Sequence, residues 1–237
     1  MSLFDWLGQR LAGQRPDWWP ARAAMDERPL LSDRWIILDS ESSGLSPARD
    51  HLLSLAAVTL DHAALPVAEQ WYATLSPTAG AAGELVEDLR DSVLIHRLTP
   101  GLLAGGMTLR EAIETLCRFV GDAPVLAFHH GHDRAFLNRA ARQAGFVHLP
   151  WHWWEAGDLL TLAWPELQPV PQGLDAWLQA QGVPVLERHH AQEDAWATAL
   201  LLLKALPRLA ARGLDTRARL QAAITDLRGL RRWELAR

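Results

Sequence analysis

Two carboxylates stand two residues apart at the end of an apolar run, in the tripeptide Asp39-Ser40-Glu41. Side chains alternate between the faces of a strand, so Asp39 and Glu41 would project to the same side. Two carboxylates at the end of a buried strand repel each other, and a divalent cation is the simplest group that offsets this cost. Taken alone, such a pair is more often an ordinary strand end followed by a polar turn.

Two further acids and a histidine occupy positions where a fold presents polar groups at an edge. Asp133 lies at a predicted strand-to-helix junction, and Asp194 lies in the first turns of a predicted long helix, five residues after His189. Four such carboxylates would be able to hold two divalent cations about 3.5–4 Å apart. Hard oxygen ligands favour Mg²⁺ or Mn²⁺.

The apolar spacing predicts the elements that position these residues. Strands are predicted over 35–39, 52–60, 70–75 and 124–128, the first three joined as antiparallel neighbours. Thr108 and Glu111 form a predicted capping box for a helix that ends near Val120. Further helices are predicted from about 133 to 145, over 158–163, 174–180 and 191–206, and within 215–235. Strands followed by helices interleaved with a few strands indicate one α/β domain, a sheet covered by helices.

The bulk composition suggests three segments in the 237 residues. Residues 1–33 are predicted as an N-terminal extension with helical spacing at its start, 34–206 as the main domain, and 207–237 as a basic helical tail. From Lys204 onward the chain has nine Lys or Arg and three acids, although the net charge of the chain is −5. The tail is therefore predicted either as solvated helices or as a surface that follows a phosphate backbone.

The cysteine count and the hydropathy of the chain indicate its cellular compartment. A single cysteine, Cys117, excludes an internal disulfide and a cysteine-rich zinc site. No secretory signal is visible, and the longest apolar run, 195–203, is too short to span a bilayer, so we expect a cytoplasmic protein without a membrane partner.

The chain has twelve tryptophans, three of them at 151, 153 and 154. This cluster is predicted to pack in the core, with base stacking as the alternative.

Three segments, in this order, resemble the motifs of the DEDDh 3′–5′ exonucleases, the group that contains the epsilon proofreading subunit of bacterial DNA polymerase III. They read Asp-Ser-Glu-Ser-Ser-Gly-Leu over 39–45, Asp-Arg-Ala-Phe-Leu over 133–137 and His-His-Ala-Gln-Glu-Asp-Ala over 189–195. The resemblance covers about residues 34–206. It implies a ribonuclease H-like mixed β-sheet flanked by helices.

The resemblance also implies roles for individual residues. Two divalent cations, Mg²⁺ or Mn²⁺, would be held by the four acids, Asp39, Glu41, Asp133 and Asp194. His189 would take a proton from the attacking water, with a surface or capping histidine as the alternative. The implied contacts to the substrate are Ser42, Ser43, Leu45 and His96, of which Leu45 and His96 are equally compatible with packing.

The second motif departs from the family pattern ahead of Asp133. His129 stands where the family has Asn, and His132 stands where it has an apolar residue. The acid itself is retained. These two histidines leave the metal preference of the site open, whereas the replacement of two threonines by Ser42 and Ser43 is mild.

The expected function is that of a metal-dependent 3′–5′ exonuclease that hydrolyses single-stranded ends, DNA in preference to RNA, to nucleoside 5′-monophosphates. An exoribonuclease of the same family and a non-catalytic module that binds nucleic acid or a polymerase are the alternatives. The expected partners are a single-stranded DNA or RNA 3′ end and a polymerase or repair complex, which the extension or the tail would dock.

Overall fold

The computed structural model describes residues 16–76, 97–184 and 188–235. A five-stranded sheet in the order β3-β2-β1-β4-β5 forms its centre. The strands are β1 (Arg34–Ser42), β2 (Leu52–Asp61), β3 (Gln70–Thr74), β4 (Val125–Ala127) and β5 (Trp153–Glu155). The pairs β1–β2 and β2–β3 are antiparallel, and the pairs β1–β4 and β4–β5 are parallel. The mixed sheet that the sequence predicts is confirmed.

Helices cover both faces of the sheet. Within the described ranges they are α1 (Pro100–Ala104), α2 (Leu109–Val120), α3 (His130–Gln143), α4 (Ala156–Ala163), α5 (Gly173–Gln181), α6 (Ala191–Ala211) and α7 (Arg217–Leu235). The capping box of α2 is confirmed, because Thr108 accepts from the backbone of Glu111 while the Glu111 carboxylate accepts from the backbone of Thr108. The prediction that α6 ends near Leu206 is wrong. The helix continues through Pro207 and keeps Leu209 buried against the core.

The alternation of β1 determines which side of the sheet each acidic side chain faces. Trp35 and Ile37 pack in the apolar cluster that α4, α5 and α6 share. Ile36 packs with α2 and α3 in a second cluster on the opposite face. Continuing the same alternation, Asp39 and Glu41 lie on the α6 side and Ser40 lies on the α3 side. The end of β1 therefore places polar side chains on both faces of the sheet.

The tryptophan cluster contains a strand that the sequence analysis did not predict. Trp154 and Glu155 belong to β5, which pairs in parallel with β4. Trp151 and Trp154 are buried, and Trp154 packs edge-on against Trp35 with ring centroids 5.4 Å apart. The packing role predicted for these two side chains is confirmed.

The segment before β1 lies against the domain from residue 16 onward. Trp18 and Trp19 contact the ring of Phe146, with centroid distances of 5.5 and 5.3 Å. Asp33 forms a buried, bidentate ion pair with Arg217 of α7. The helical spacing predicted at the start of the chain lies outside the described residues. The division into extension, domain and tail stays a prediction.

Two basic residues of α7 share one acidic partner in α4. Arg228 Nε and Arg231 Nη1 each lie 2.7 Å from a carboxylate oxygen of buried Asp158 in α4. Arg231 also donates to Thr161 Oγ1 at 3.0 Å. These contacts tie α7 to α4, so much of its positive charge serves packing.

Among the described helices, none combines the length and the hydropathy that a bilayer crossing needs.

Candidate active site

Three carboxylates from two elements meet at the end of β1. Oxygen atoms of Asp39, Glu41 and Asp194 all lie within 4.8 Å of one another. The first two come from the α6 side of β1, and Asp194 comes from the first turn of α6, where its backbone N–H donates to His190 O at 3.0 Å. Three of the four predicted metal ligands therefore lie together.

The fourth predicted ligand, Asp133, is held from the other face of β1. It is buried in the first turn of α3, and Ser40 Oγ donates to its Oδ1 at 2.5 Å. Asp133 is outside the set of three, but its charge is the largest one raising the pKa of Asp39. Asp133 therefore lies within electrostatic reach of Asp39, with Ser40 holding one of its oxygens.

Burial and mutual repulsion raise the pKa values of three of these carboxylates. Burial, and then the neighbouring charges of Asp133, Asp194 and Glu41, raise the pKa of Asp39 well above its usual range. Burial and the charges of Asp194 and Asp133 raise the pKa of Glu41 to about 7. Burial also raises the pKa of Asp133 to about 7, against the opposing hydrogen bond from Ser40. Four carboxylates with this deficit of positive charge fit oxygen-liganded divalent cations.

A guanidinium supplies part of the missing positive charge. Arg188 forms ion pairs with Asp194 and with Asp175 of α5. Its charge lowers the pKa of both Asp39 and Glu41, although burial and the other acids outweigh it. One guanidinium cannot neutralise four carboxylates, so its presence is consistent with a site that also takes metal.

The predicted base, His189, lies beside this cluster and is exposed to solvent. Its backbone adopts a left-handed conformation, with φ of 62°, and its N–H lies 3.3 Å from Asp194 Oδ2. The ring of His190 stacks on Tyr72 of β3 at 5.4 Å, and its carbonyl accepts from Asp194. His190 therefore helps to fix the start of α6.

The histidines that depart from the family pattern take structural places around α3. His129 directly precedes the helix in a left-handed conformation, and the Glu155 carboxylate accepts from the backbone N–H groups of His129 and His130 at 2.9 and 3.1 Å. Glu155 therefore caps this helix in place of the residue that precedes it. The ring of His132 packs on Phe136 at 4.6 Å, and its Nε2 lies 3.2 Å from Ser42 Oγ.

The predicted substrate contacts lie in the turn after β1. Ser42 Oγ donates to Gly44 O at 2.7 Å, and Ser43 Oγ accepts from the backbone of His51 at 2.9 Å. Leu45 is 88% exposed, so it is free of the packing role that was its alternative. His96 lies outside the described residues.

Sequence reasoning missed three residues of this site: Ser40, Glu155 and Arg188. Ser40 sits between the two acids of the first motif, and strand alternation alone would have aimed it at the side of β1 opposite to theirs. Arg188 directly precedes His189, and its charge beside an acidic cluster was the available signal. Glu155 offered none, because β5 has only three residues.

Comparison with known proteins agrees with this geometry. The chain is 32% identical over 126 residues to an oligoribonuclease of Streptomyces griseus, which covers 50% of this chain and 62% of the relative. It is 26% identical over 215 residues to a DNA polymerase III subunit epsilon-like protein of Rhodobacter capsulatus, which covers 87% of this chain and 28% of the relative. The chain thus spans less than two thirds of the length of these relatives.

Solved structures share the fold. E. coli exonuclease I in complex with a dA16 oligonucleotide superposes with a TM-score of 0.59 at 18% identity, covering 75% of this chain and 42% of that one. Exonuclease X in complex with 5′ overhanging duplex DNA gives a TM-score of 0.57 at 17% identity, covering 80% of this chain and 99% of that one. The ribonuclease H-like architecture is therefore confirmed.

The family model described as exonuclease, RNase_T, matches residues 36–202. This match includes β1 with Asp39 and Glu41, the start of α3 with Asp133, and the start of α6 with His189 and Asp194. The chain belongs to the RNase_T exonuclease family.

Proposed function

We propose that this protein is a metal-dependent 3′–5′ exonuclease that acts on single-stranded ends, DNA in preference to RNA, and releases nucleoside 5′-monophosphates. The observation that carries the proposal is the convergence of Asp39, Glu41 and Asp194 within 4.8 Å, with Asp133 beside them. Membership of the exonuclease family and the neighbours that bind oligonucleotides support it.

The four acids would hold two cations, Mg²⁺ or Mn²⁺. When bound, such cations lower the pKa of the attacking water and offset the charge that develops on the leaving 3′ oxygen. His189 accepts the proton of that water, a role for which a solvent-exposed imidazole is suited. The water oxygen bonds to the terminal phosphorus as the bond from phosphorus to the 3′ oxygen breaks. The product is a nucleoside 5′-monophosphate.

The turn after β1 would receive the terminal nucleotide. Leu45 presents an exposed apolar side chain that would pack against the terminal base. Ser42 and Ser43 would bring backbone groups to the terminal sugar, while their hydroxyls hold the turn. An apolar contact of Leu45 with the terminal base would favour a strand end over an internal phosphodiester.

A polymerase-associated role is the second candidate. Several relatives are named DNA polymerase III PolC-type, and this chain covers 11 or 12% of their length. A proofreading module docked on a separate polymerase would fit both facts. Capture of a polymerase by the full chain, lost on removal of residues 1–15, which keeps the segment that packs on the domain through Trp18, Trp19 and Asp33, would support this candidate.

The proposed activity is tested with 5′-labelled single-stranded DNA and RNA of one sequence, each incubated with Mg²⁺, Mn²⁺ or chelator. We expect a ladder that shortens from the 3′ end, runs faster on DNA, and disappears with chelator or in Asp39→Ala. A folded protein that cleaves neither strand with either metal would overturn the proposal in favour of a binding module.

A further inference from the structure

The loop that joins β1 to β2 carries Leu45 at its tip and buries none of its side chains. We call residues 43–51 the Leu45 loop; each of them is exposed or only half-buried. A segment without buried apolar side chains takes no fixed position from the hydrophobic core. At its base, Ser43 N donates to His51 O at 2.8 Å and His51 N donates to Ser43 Oγ at 2.9 Å. Hydrogen bonds therefore have to fix this loop.

Inside the loop, Asp50 contacts the residue on each side of Leu45. The Asp50 carboxylate accepts from the backbone N–H of Ser46 at 2.6 Å, and the Asp50 N–H donates to Ser46 O at 2.8 Å. The same carboxylate lies so close to Gly44 that a Cβ at that position would collide with it. Gly44 and Ser46 flank Leu45, so the position of Asp50 determines the direction in which the leucine projects.

Arg139 of α3 holds Asp50 from outside the loop. Its Nη1 carries two N–H groups and donates to the carbonyl oxygens of Pro47 and Asp50, the second at 2.9 Å. One end of the guanidinium thus bridges two carbonyl groups that lie three residues apart. Hydrogen bonds from a charged donor are roughly twice as strong as those between neutral groups. Arg139 therefore attaches the Leu45 loop firmly to α3.

Apolar packing does not replace this attachment. A cavity of about 80 Å³ lies between the Leu45 loop and α3, and its lining includes Asp50, Leu52, Phe136 and Arg139. Atoms that face a cavity lack the dispersion contacts that a packed interface would give them. The loop therefore depends on the Arg139 hydrogen bonds for its contact with this part of the helix.

The same helix carries one of the four acids. Asp133 lies in the first turn of α3, six residues before Arg139, which is about 9 Å along the helix axis. The neighbouring His132 places its Nε2 3.2 Å from Ser42 Oγ, at the end of β1. Through these contacts α3 fixes the position of the Leu45 loop relative to the acidic cluster.

We propose that Arg139 and Asp50 are positioning residues for the substrate end, which hold Leu45 at a fixed place relative to Asp133. The terminal base is then bound where the acids reach the terminal phosphodiester. This inference rests on the proposed function, because it concerns the same strand end. Arg139 and Asp50 do not touch the substrate; they act through Leu45. Removing either residue therefore matters only while Leu45 is present.

The test is a double-mutant cycle. Arg139→Met removes the N–H donors and keeps an unbranched apolar stem, and it is made in the wild-type chain and in Leu45→Ala. Arg142→Met, at an exposed position on the same helix, is the matched control. Each protein is assayed for kcat and KM on a single-stranded DNA octanucleotide with Mg²⁺. Anisotropy measures binding of the labelled octanucleotide with Ca²⁺ in place of Mg²⁺.

Two further measurements do not depend on activity. Calorimetry gives the Mn²⁺ affinity, and hydrogen exchange of the substrate-free protein, followed by mass spectrometry, gives the protection of the amides in residues 43–51. We expect Arg139→Met to accelerate exchange in this segment, where the N–H groups of Ser46 and Asp50 are bonded, and to leave exchange along α3 unchanged. Mn²⁺ affinity should stay within twofold of the wild-type value.

We expect Arg139→Met to raise KM and the dissociation constant by about tenfold, the order that loss of one buried apolar contact gives, with kcat within twofold. In Leu45→Ala the same substitution should change both constants by less than twofold. Arg142→Met should match wild type throughout.

An unchanged KM in Arg139→Met, an equal rise in KM in both backgrounds, or unchanged exchange over 43–51 would overturn the positioning role. If none of the proteins cleaves, the proposed function fails, and the anisotropy cycle together with hydrogen exchange still decides whether Arg139 acts through Leu45. If Arg139→Met does not fold, Asp50→Ala removes the acceptor for the Ser46 N–H and is expected to show the same dependence on Leu45.

Discussion

Ser40 Oγ donates to Asp133 Oδ1 at 2.5 Å, across the face of β1 opposite to Asp39 and Glu41. The residue between two acids of one motif thus orients the acid of the next motif. Strand alternation makes this possible, because the odd residues of β1 face α6 and the even ones face α3. One strand end therefore organises the carboxylates from both faces.

Ser40→Ala is expected to weaken metal binding and turnover by about 10–100-fold, the usual effect of removing a hydrogen bond that orients a ligand. Asp133 would lose its fixed oxygen but remain buried. Ser40→Thr, which keeps the hydroxyl, should recover most of the affinity. Calorimetric titration with Mn²⁺ measures the change separately from catalysis. An unchanged Mn²⁺ affinity in Ser40→Ala would show that Ser40 does not position the acid.

His189→Ala is expected to reduce turnover by about 10²–10⁴-fold, as loss of a general base does, while Mn²⁺ affinity stays within twofold. The contact of residue 189 with Asp194 is through its backbone N–H, which alanine retains. His148→Ala, at an exposed position outside the site, is the control. Turnover near the wild-type value would remove His189 from its assigned role.

In the metal-free protein, ionisation of Glu41 should lower the free energy of unfolding, by an amount that depends on pH. Its pKa is about 7 in the folded protein and about 4.3 in an unfolded chain, so the folded state binds the additional proton between these values. The Glu41 contribution to stability is therefore fully present below about pH 4 and is lost as the pH rises through about 7. Compared with wild type, Glu41→Gln should become progressively more stable over this window.

Urea unfolding of both proteins in chelator, at several pH values, measures that difference. Because both proteins contain the same histidines, histidine titration largely cancels in the comparison. Saturating Mg²⁺ should reverse the order, since the wild-type carboxylate is then matched by a cation. A difference that is constant between pH 4 and 8 would contradict the burial and charge repulsion assigned to Glu41.

The ion pair between Asp33 and Arg217 should be a major support of the fold outside the site. Both side chains are at most 3% exposed, so Arg217→Met leaves a buried carboxylate without its partner. We expect a loss of about 3–5 kcal/mol in the free energy of unfolding. The exposed pair of Arg219 with Asp215 is the matched control, and Arg219→Met should cost less than about 1 kcal/mol. Similar losses in the two variants would contradict this assignment.

Sequence periodicity predicted most of the sheet and the location of the acids. Asp39 and Glu41 come at the end of a continuous apolar run, which is typical of a buried strand, and Asp194 opens a helix with a continuous apolar face. The helix α6 extends past Pro207 because Leu209 continues that face, a packing effect that a local stop signal does not contain.

The parts that the sequence did not predict depend on contacts between distant residues. β5 is three residues long and exists through its parallel pairing with β4, so it has no period to detect. Glu155 caps α3 from 25 or 26 positions away. In the sequence, Arg217 is one of the basic residues of the predicted tail. Its partner, Asp33, lies 184 positions earlier.

The most direct test of the catalytic proposal is the fate of the water oxygen. A single-stranded DNA oligonucleotide is digested with Mg²⁺ in ¹⁸O-enriched water, and the released mononucleotides are identified by mass spectrometry, beside Asp194→Asn. We expect nucleoside 5′-monophosphates that carry one ¹⁸O on phosphorus, released from the 3′ end and absent in the variant. Nucleoside 3′-monophosphates, or equal release by Asp194→Asn, would contradict hydrolysis of the terminal phosphodiester by this carboxylate site.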